Sequence, residues 1–122
     1  MNDTLVIIPT YNEKENIEKI LRATFSQKKS FDILVVDDSS PDGTADIVRR
    51  IQEEFPKSLY LEVRKEKNGL GRAYIHGFKW ALARNYDYII EMDADFSHNP
   101  QDLVRLYEKC ARDGADASIG SR

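Results

Sequence analysis

Short apolar runs alternate with amphipathic stretches along this chain. The apolar runs occupy residues 5–8, 33–36, 59–63 and 88–92. Runs of this length that alternate with helical segments are typical of buried strands in a parallel sheet. A helical face after the first run is formed by Ile17, Ile20, Leu21, Thr24 and Phe25, which recur three and four positions apart. The pattern predicts a doubly wound, mainly parallel α/β sheet.

The later helices carry more specific signals. The second helix follows the Gly43 turn and has Val48, Ile51 and Phe55 on its inner face, and Pro56 is predicted to end it. A third helix, over about residues 70–84, has a stripe of small residues that favours close packing on the sheet. The stripe consists of Ala73, Gly77 and Ala81. A fourth helix is predicted after Asn99–Pro100, and a fifth strand is predicted from Ala117.

Acidic and small polar residues follow three of the predicted strands, at residues 9–13, 37–43 and 93–97. Ligands of parallel sheets bind at the carboxyl ends of the strands. Carboxylates gathered there repel one another unless a cation lies between them, so the pattern indicates a divalent metal with a phosphorylated ligand. A strand order of 3-2-1-4 brings the segments after strands 1 and 4 to one crevice, with Asp37 and Asp38 adjacent. We interpret Asp42 as a turn residue.

Composition narrows the classes of function. The chain has 122 residues and a net charge of −3, which gives no basic footprint for nucleic acid. Its apolar runs are far too short to span a membrane. The lone Cys110 cannot form an internal disulfide, and the first strand begins too early for a signal peptide. We therefore expect a soluble fragment in a reducing, cytoplasmic setting.

A phospho-receiver signalling domain is the main alternative from another class. Its length and fold class agree with this chain, and Asp37–Asp38 after a strand resembles its metal-binding pair. Such domains carry that pair on the first strand, however, and need a lysine after the last strand. This chain has the pair on the second predicted strand, so we consider this alternative weak.

Four segments together resemble one family. They are residues 9–13 (PTYNE), 36–44 (VDDSSPDGT), 69–78 (GLGRAYIHGF) and 92–100 (MDADFSHNP). The first two resemble family 2 glycosyltransferases with the GT-A fold, and all four together resemble the polyprenol (dolichyl) phosphate mannosyltransferases. The resemblance covers essentially the whole chain. It implies transfer of mannose from GDP-mannose to the phosphate of a polyprenyl or dolichyl lipid, with inversion at the sugar carbon.

The resemblance also implies roles for single residues. By position, Pro9, Tyr11 and Glu13 would hold the guanosine, with Val36 and Asp38 beside it.

The remaining implied residues lie late in the chain. Asp93 and the backbone of Ala94 would contact the nucleotide sugar, and Arg122 would contact its diphosphate. Asp95, the candidate catalytic residue, would bind Mg²⁺ or Mn²⁺, and Ser97 would complete the metal shell. No general base is expected, because a lipid phosphate is already an anion near neutral pH.

Length limits this interpretation, because family members continue beyond the position of Arg122. We expect residues 1–122 to be the N-terminal nucleotide-sugar-binding half, without the acceptor-binding remainder. Contact with a membrane surface would then come only through the lipid acceptor or a C-terminal region, as part of a membrane-associated full-length protein. A family 2 enzyme with a UDP-sugar donor, or a domain that binds without catalysis, remains as an alternative.

Overall fold

A computed structural model describes residues 3–27, 30–65, 70–84, 86–92 and 117–119. Strands and helices alternate along these residues. They are β1 (Thr4–Thr10), α1 (Ile17–Phe25), β2 (Asp32–Asp37), α2 (Thr44–Gln52), β3 (Leu59–Val63), α3 (Leu70–Leu82), β4 (Tyr88–Glu91) and β5 (Ala117–Ile119). The predicted helix after Asn99–Pro100 lies outside the described residues.

The strands form one parallel sheet in the order β3-β2-β1-β4-β5. β1 lies in the interior of the sheet, between β2 and β4. The chain fills one side of β1 first and then crosses to the other side, so the direction of winding changes between β1 and β4. The predicted doubly wound sheet and its switch point are confirmed.

Both faces of the sheet are apolar because helices cover both. Val6 and Ile8 of β1 pack with the helices α1 and α2 in one core cluster. Leu5 and Ile7, which alternate with them, belong to a second cluster on the opposite face, with partly buried residues of α3 around it. This alternation explains why β1 is a continuous apolar run, since each successive side chain enters a different core.

α3 lies unusually close to β1 at Gly77. A Cβ atom added to this glycine would be 2.7 Å from Cγ2 of Ile7, far inside van der Waals contact. Ala81, one turn later, is completely buried. Gly77 and Ala81, two of the small residues predicted for this face, therefore allow the helix backbone to approach the sheet.

α2 ends earlier than predicted. It stops at Gln52 and not at Pro56, because tight turns replace the helical pattern over residues 53–55. The backbone N–H groups of these three residues bond to carbonyls only three positions back. Phe55 nevertheless faces inward, where its ring stacks on Phe25 at a centroid distance of 4.2 Å.

An aromatic group covers the amino end of the sheet on the α3 face. Trp80 packs against the rings of Tyr60 and Tyr86, with centroid distances of 5.0 and 6.4 Å. The Tyr86 hydroxyl donates a hydrogen bond of 2.6 Å to the completely buried carboxylate of Asp32. Trp80 is thus a packing residue. Among the described helices, none is both long enough and apolar enough to cross a membrane.

Candidate functional site

The carboxyl ends of β1 and β2 meet at one edge of the sheet. Thr10 lies opposite Asp37 in the parallel ladder, and the N–H of Asp38 donates to the carbonyl of Thr10 at 3.1 Å. Beyond these residues the chain forms two loops, which we call the first loop (residues 11–16) and the second loop (residues 38–43). Both begin at the edge that the sequence indicated as a ligand site.

Asp37 organises the start of the second loop. Its carboxylate is completely buried and accepts hydrogen bonds from the hydroxyls of Thr10 and Ser40, at 2.7 and 2.6 Å. The backbone N–H of Ser40 donates to the other carboxylate oxygen at 2.9 Å. Three donors around one buried carboxylate stabilise its charge, and they tie the second loop to the end of β1.

The two loops are also bonded to each other directly. The backbone N–H groups of three successive residues of the first loop donate to side chains at or just after the second loop. These bonds run from Asn12 to the Ser40 hydroxyl at 2.9 Å, from Glu13 to the Thr44 hydroxyl at 3.1 Å, and from Lys14 to Asp42 at 3.1 Å. The path of the first loop is therefore fixed by the side chains of the second.

Asp42 has the turn role predicted for it. Its carboxylate accepts from both the N–H and the hydroxyl of Thr44, which begins α2, as well as from Lys14 N–H. Burial acts to raise the pKa of Asp42, but these hydrogen bonds outweigh it and hold the pKa below its usual value. Gly43, between Asp42 and the helix, has a φ of 93°, a conformation that glycine adopts without strain.

Among the residues that the structure describes, two other than glycine have left-handed backbone conformations, one in each loop. Asn12 has a φ of 56° and Ser39 has a φ of 57°. Such conformations are disfavoured for most side chains and persist where the surrounding contacts fix them. The contacts here are the bond from Asn12 N–H to Ser40 and a bond from the Ser39 hydroxyl to the carbonyl of Arg64.

A second aspartate at this edge is held by an ion pair. The guanidinium of Arg64, which directly follows β3, lies 3.2 Å from the carboxylate of Asp38. The Arg64 side chain is 13% exposed and that of Asp38 is 6% exposed. The two facing atoms, Nη1 and Oδ1, are shielded from water, although their alignment is too poor for a hydrogen bond to each other. The pair therefore joins the ends of β2 and β3 chiefly through charge.

The comparison with protein families agrees with this arrangement. The model of the family described as glycosyl transferase family 2 matches residues 5–122. The chain belongs to this family.

Relatives within glycosyl transferase family 2 are similar over nearly the whole chain. The polyprenol monophosphomannose synthase of Mycolicibacterium smegmatis is 47% identical over 119 residues, which cover 98% of this chain and 44% of that protein. The undecaprenyl-phosphate mannosyltransferase of Micrococcus luteus is 50% identical over 118 residues, which cover 97% of this chain and 47% of that protein. The chain thus spans less than half the length of these relatives.

Solved structures share the fold. The mannosyltransferase PcManGT from Pyrobaculum calidifontis, in complex with GDP-Man and Mn²⁺, superimposes with a TM-score of 0.77 and 30% identity. It is matched over 90% of this chain and 32% of its own length. TarS 1-349 of S. aureus has a TM-score of 0.74 at 24% identity, over 90% of this chain and 32% of that one. These matches confirm the expected GT-A type of fold.

The structure describes five of the site residues that the sequence predicted. Tyr11 and Glu13 lie in the first loop and Asp38 begins the second, so the structure brings these three to one edge. Pro9 and Val36 lie opposite each other in the β1–β2 ladder just before the loops. Both are buried, and Val36 is completely covered by the core. Their contact with a nucleotide stays a prediction.

The other predicted site residues, namely Asp93, Ala94, Asp95, Ser97 and Arg122, lie outside the described residues. The nearest described position is Met92, whose N–H donates to the carbonyl of Ile7 at 3.0 Å. The end of β4 therefore lies beside β1, on the side away from β2.

An open cavity of about 410 Å³ adjoins the two loops. Its lining consists of Asn12, Glu13, Lys14, Glu15, Asn16 and Asp42. In the part of the chain that the structure describes, no three His, Cys, Asp or Glu side chains are grouped closely enough to hold a metal ion. The predicted metal ligands, Asp95 and Ser97, lie outside that part of the chain.

Several residues that shape the candidate site were not predicted from the sequence. Thr10, Ser40 and Thr44 were not selected, although the dense run of hydroxyl and acidic residues from 37 to 44 was a signal for such bonding. Arg64 had no comparable signal. Its role depends on the pairing of β2 with β3, which places Val63 opposite Asp37 and so brings the next residue close to Asp38.

Proposed function

We propose that this chain binds GDP-mannose and forms the donor-binding part of a transferase that moves mannose to a polyprenyl or dolichyl phosphate. The observation that carries this proposal is the match, over 97–98% of the chain, to relatives named for mannosyl transfer to polyprenyl phosphates, at 47 and 50% identity. The pair of loops that hydrogen bonds join at the carboxyl edge of β1 and β2 supports it, because this is where a parallel sheet offers a ligand site.

In this proposal the first and second loops hold the nucleoside. Tyr11 offers its ring as a surface for the base, and Glu13 and Asp38 accept hydrogen bonds from the base or ribose. A carboxylate suits such a role because the bases present N–H donors. The bonds of Asn12 and Glu13 to the second loop fix the backbone before the ligand arrives, which reduces the ordering that binding requires.

The diphosphate end of the donor is assigned to residues that follow β4. We propose that Asp93 and the backbone of Ala94 bind the nucleotide sugar, and that Arg122 binds the diphosphate. Asp95, with Ser97, would hold Mg²⁺ or Mn²⁺, and carboxylate and hydroxyl oxygens suit both ions. Such an ion, when bound, stabilises negative charge on the departing diphosphate. The similar structure from Pyrobaculum calidifontis contains Mn²⁺ together with GDP-Man.

The proposed reaction needs little acid–base chemistry. The acceptor phosphate attacks the sugar carbon as an anion, the bond from that carbon to the diphosphate breaks, and the configuration inverts. Because the nucleophile is already charged, the protein contributes positioning and electrostatic stabilisation of the leaving group. No general base is assigned.

The acceptor side is proposed to lie with residues outside this chain. The relatives are more than twice as long as the part that matches, so the lipid phosphate would be held by their remaining length. We accordingly expect the 122-residue chain to bind donor and to transfer mannose poorly. Transfer itself would take place at the cytoplasmic side of a membrane. An assay with radiolabelled GDP-mannose and a polyprenyl phosphate checks this, and turnover on the order of one per second would contradict it.

Calorimetry tests whether the chain binds GDP and whether this binding depends on the metal. GDP is titrated into the chain with and without Mn²⁺, and then into the Asp95→Asn variant. We expect binding that depends on Mn²⁺ and that weakens by about tenfold or more in the variant, because an anionic ligand of the ion is lost. Asp87→Asn, the same change at an exposed carboxylate before β4, is the matched control and should bind as the parent does.

Side-by-side thermal shifts with GDP-mannose, UDP-glucose and UDP-N-acetylglucosamine then test whether the chain prefers guanine to uracil. A larger shift with either UDP sugar would move the assignment to another branch of the family. Equal GDP affinity with and without Mn²⁺ would remove the metal from the proposal.

A further inference from the structure

Arg64 contacts three consecutive residues at the start of the second loop. Its backbone N–H donates to the carbonyl of Asp37 at 2.7 Å, and its own carbonyl accepts a hydrogen bond from the Ser39 hydroxyl. Between these, its guanidinium pairs with the carboxylate of Asp38 at 3.2 Å. One residue at the end of β3 thus holds both the main chain and the side chain around Asp38.

The pair differs from the other ion pairs described between separate elements. Arg22 and Glu54, which join α1 to the turn after α2, have side chains that are 44 and 51% exposed. Such exposed pairs contribute little because water screens them. Arg64 and Asp38 are almost fully enclosed, so water screens the attraction between them far less.

Asp38 also has little freedom to move in other ways. Its backbone N–H is bonded to Thr10, and the residue after it has a left-handed conformation that the Arg64 carbonyl helps to hold. The side-chain torsions are the remaining freedom, and the guanidinium restricts them. Buried ion pairs are often no better for stability than apolar residues of the same size, so a role in fixing geometry accounts better for this one.

We propose that Arg64 is a positioning residue for the nucleotide base. It fixes the Asp38 carboxylate at the edge of the sheet, so that this carboxylate accepts a hydrogen bond from an N–H group of the base. The proposal rests on the proposed donor-binding function and adds a residue that acts through Asp38. The diphosphate and metal end of the donor is independent of it.

Calorimetry on a set of variants tests this role, with two probes in the presence of Mn²⁺. GDP carries the base, and inorganic pyrophosphate lacks it. We expect Arg64→Gln to weaken GDP binding by at least about tenfold, while pyrophosphate binding stays within about twofold. Arg64→Lys keeps the charge and should recover part of the GDP affinity. Arg22→Gln, an identical change at an exposed arginine, should leave both affinities unchanged.

A double-mutant cycle decides whether Arg64 acts through Asp38. In an Asp38→Asn background, Arg64→Gln should weaken GDP binding little further, because the carboxylate that it positions is already gone. If Arg64→Gln alone does not fold, Arg64→Lys, which keeps the buried positive charge, takes its place in the cycle. Additive losses, or equal losses for GDP and pyrophosphate, would overturn the proposal. A parent chain that binds no GDP with Mn²⁺ would instead overturn the donor-binding function itself.

Discussion

Strand β2 carries a completely buried aspartate at each end, and the two serve different parts of the molecule. Asp32, at the amino end, accepts a hydrogen bond from Tyr86, which belongs to the aromatic group around Trp80. Asp37, at the carboxyl end, accepts from Thr10 and from both donors of Ser40. Asp32 and Asp37 share their residue type, their strand and their complete burial. The difference in their roles therefore comes from their hydrogen-bond partners.

The partners show what each carboxylate stabilises. Tyr86 comes from the connection between α3 and β4, so its bond to Asp32 attaches a helical layer to the sheet. Burial raises the pKa of Tyr86, as does the bond to Asp32, and the phenol therefore remains a protonated donor at physiological pH. Asp37 instead bonds to loops that contain left-handed residues. Asp32 thus stabilises the scaffold, whereas Asp37 sets the shape of the candidate site.

The largest effect is expected for Asp37→Asn. An amide keeps the shape of the side chain but cannot accept from all three donors, because its NH2 group must face either Ser40 N–H or the hydroxyls of Thr10 and Ser40. We expect a loss of about 3 kcal/mol in the free energy of unfolding, together with loss of GDP binding. Urea denaturation and calorimetry measure the two effects. Parent-like GDP binding in a destabilised variant would mean that Asp37, like Asp32, serves the scaffold alone.

Tyr86→Phe is the counterpart at the other end of β2. The change removes one hydroxyl from the buried carboxylate of Asp32, so we expect a loss of about 2 kcal/mol in stability, with GDP affinity unchanged. Tyr60→Phe is the control, because that hydroxyl bonds to the Lys57 carbonyl at an exposed position of the same aromatic group. A clear drop in GDP affinity for Tyr86→Phe would show that the two ends of the strand are coupled.

Ser40→Ala is expected to have a smaller effect, confined to the loops. It removes the hydroxyl that links Asp37 to the backbone of Asn12, which amounts to about 1 kcal/mol of stability. GDP affinity should fall more than this modest destabilisation suggests, because the first loop loses an anchor. Ser26→Ala, at an exposed hydroxyl after α1, should change neither quantity. If both serine variants behaved alike, the link between the loops would have no role in binding.

Asp42→Asn is expected to have the smallest effect, and it appears as a change in pH dependence. The pKa of Asp42 is lowered in the folded chain, so the carboxylate contributes stability above its unfolded pKa of about 4. That contribution is lost as the pH falls through the folded pKa. The variant should therefore lose less stability than the parent between about pH 5 and pH 3. Thermal unfolding across this range measures the difference, and parallel curves would contradict the assigned hydrogen bonds.

Asp32 and Asp37 also show which features of the structure could be predicted from the sequence. Apolar periodicity predicted the strands and the inner face of α1 because burial on both faces of a sheet leaves a direct pattern. The cluster that contains Asp37 and Asp38 was noticed because adjacent carboxylates after a strand are unusual. Asp32 gave no signal, since its partner Tyr86 is remote in the chain.

Contacts between side chains at the ends of neighbouring strands could not be predicted from the sequence. Pairing of Thr10 with Asp37, and of Arg64 with Asp38, follows from strand register and from the alternate directions of neighbouring side chains. The end of α2 was misplaced for a related reason. The stacking of Phe55 on Phe25 comes with a tight turn, whereas the sequence pattern alone favoured a longer helix.

The interior position of β1 in the sheet has a consequence for synthesis of the protein. β1 is translated first and can pair with β2 soon afterwards, but its other edge awaits β4, in which Tyr88 pairs with Thr4. Until then a strand whose seven residues are all destined for burial keeps one edge open, and such edges invite pairing with other chains. Parallel pairing over such a separation is also slow to form. The sheet around β1 can therefore close only after Glu91 has left the ribosome, and a nascent chain that pauses before this point exposes an open edge of β1.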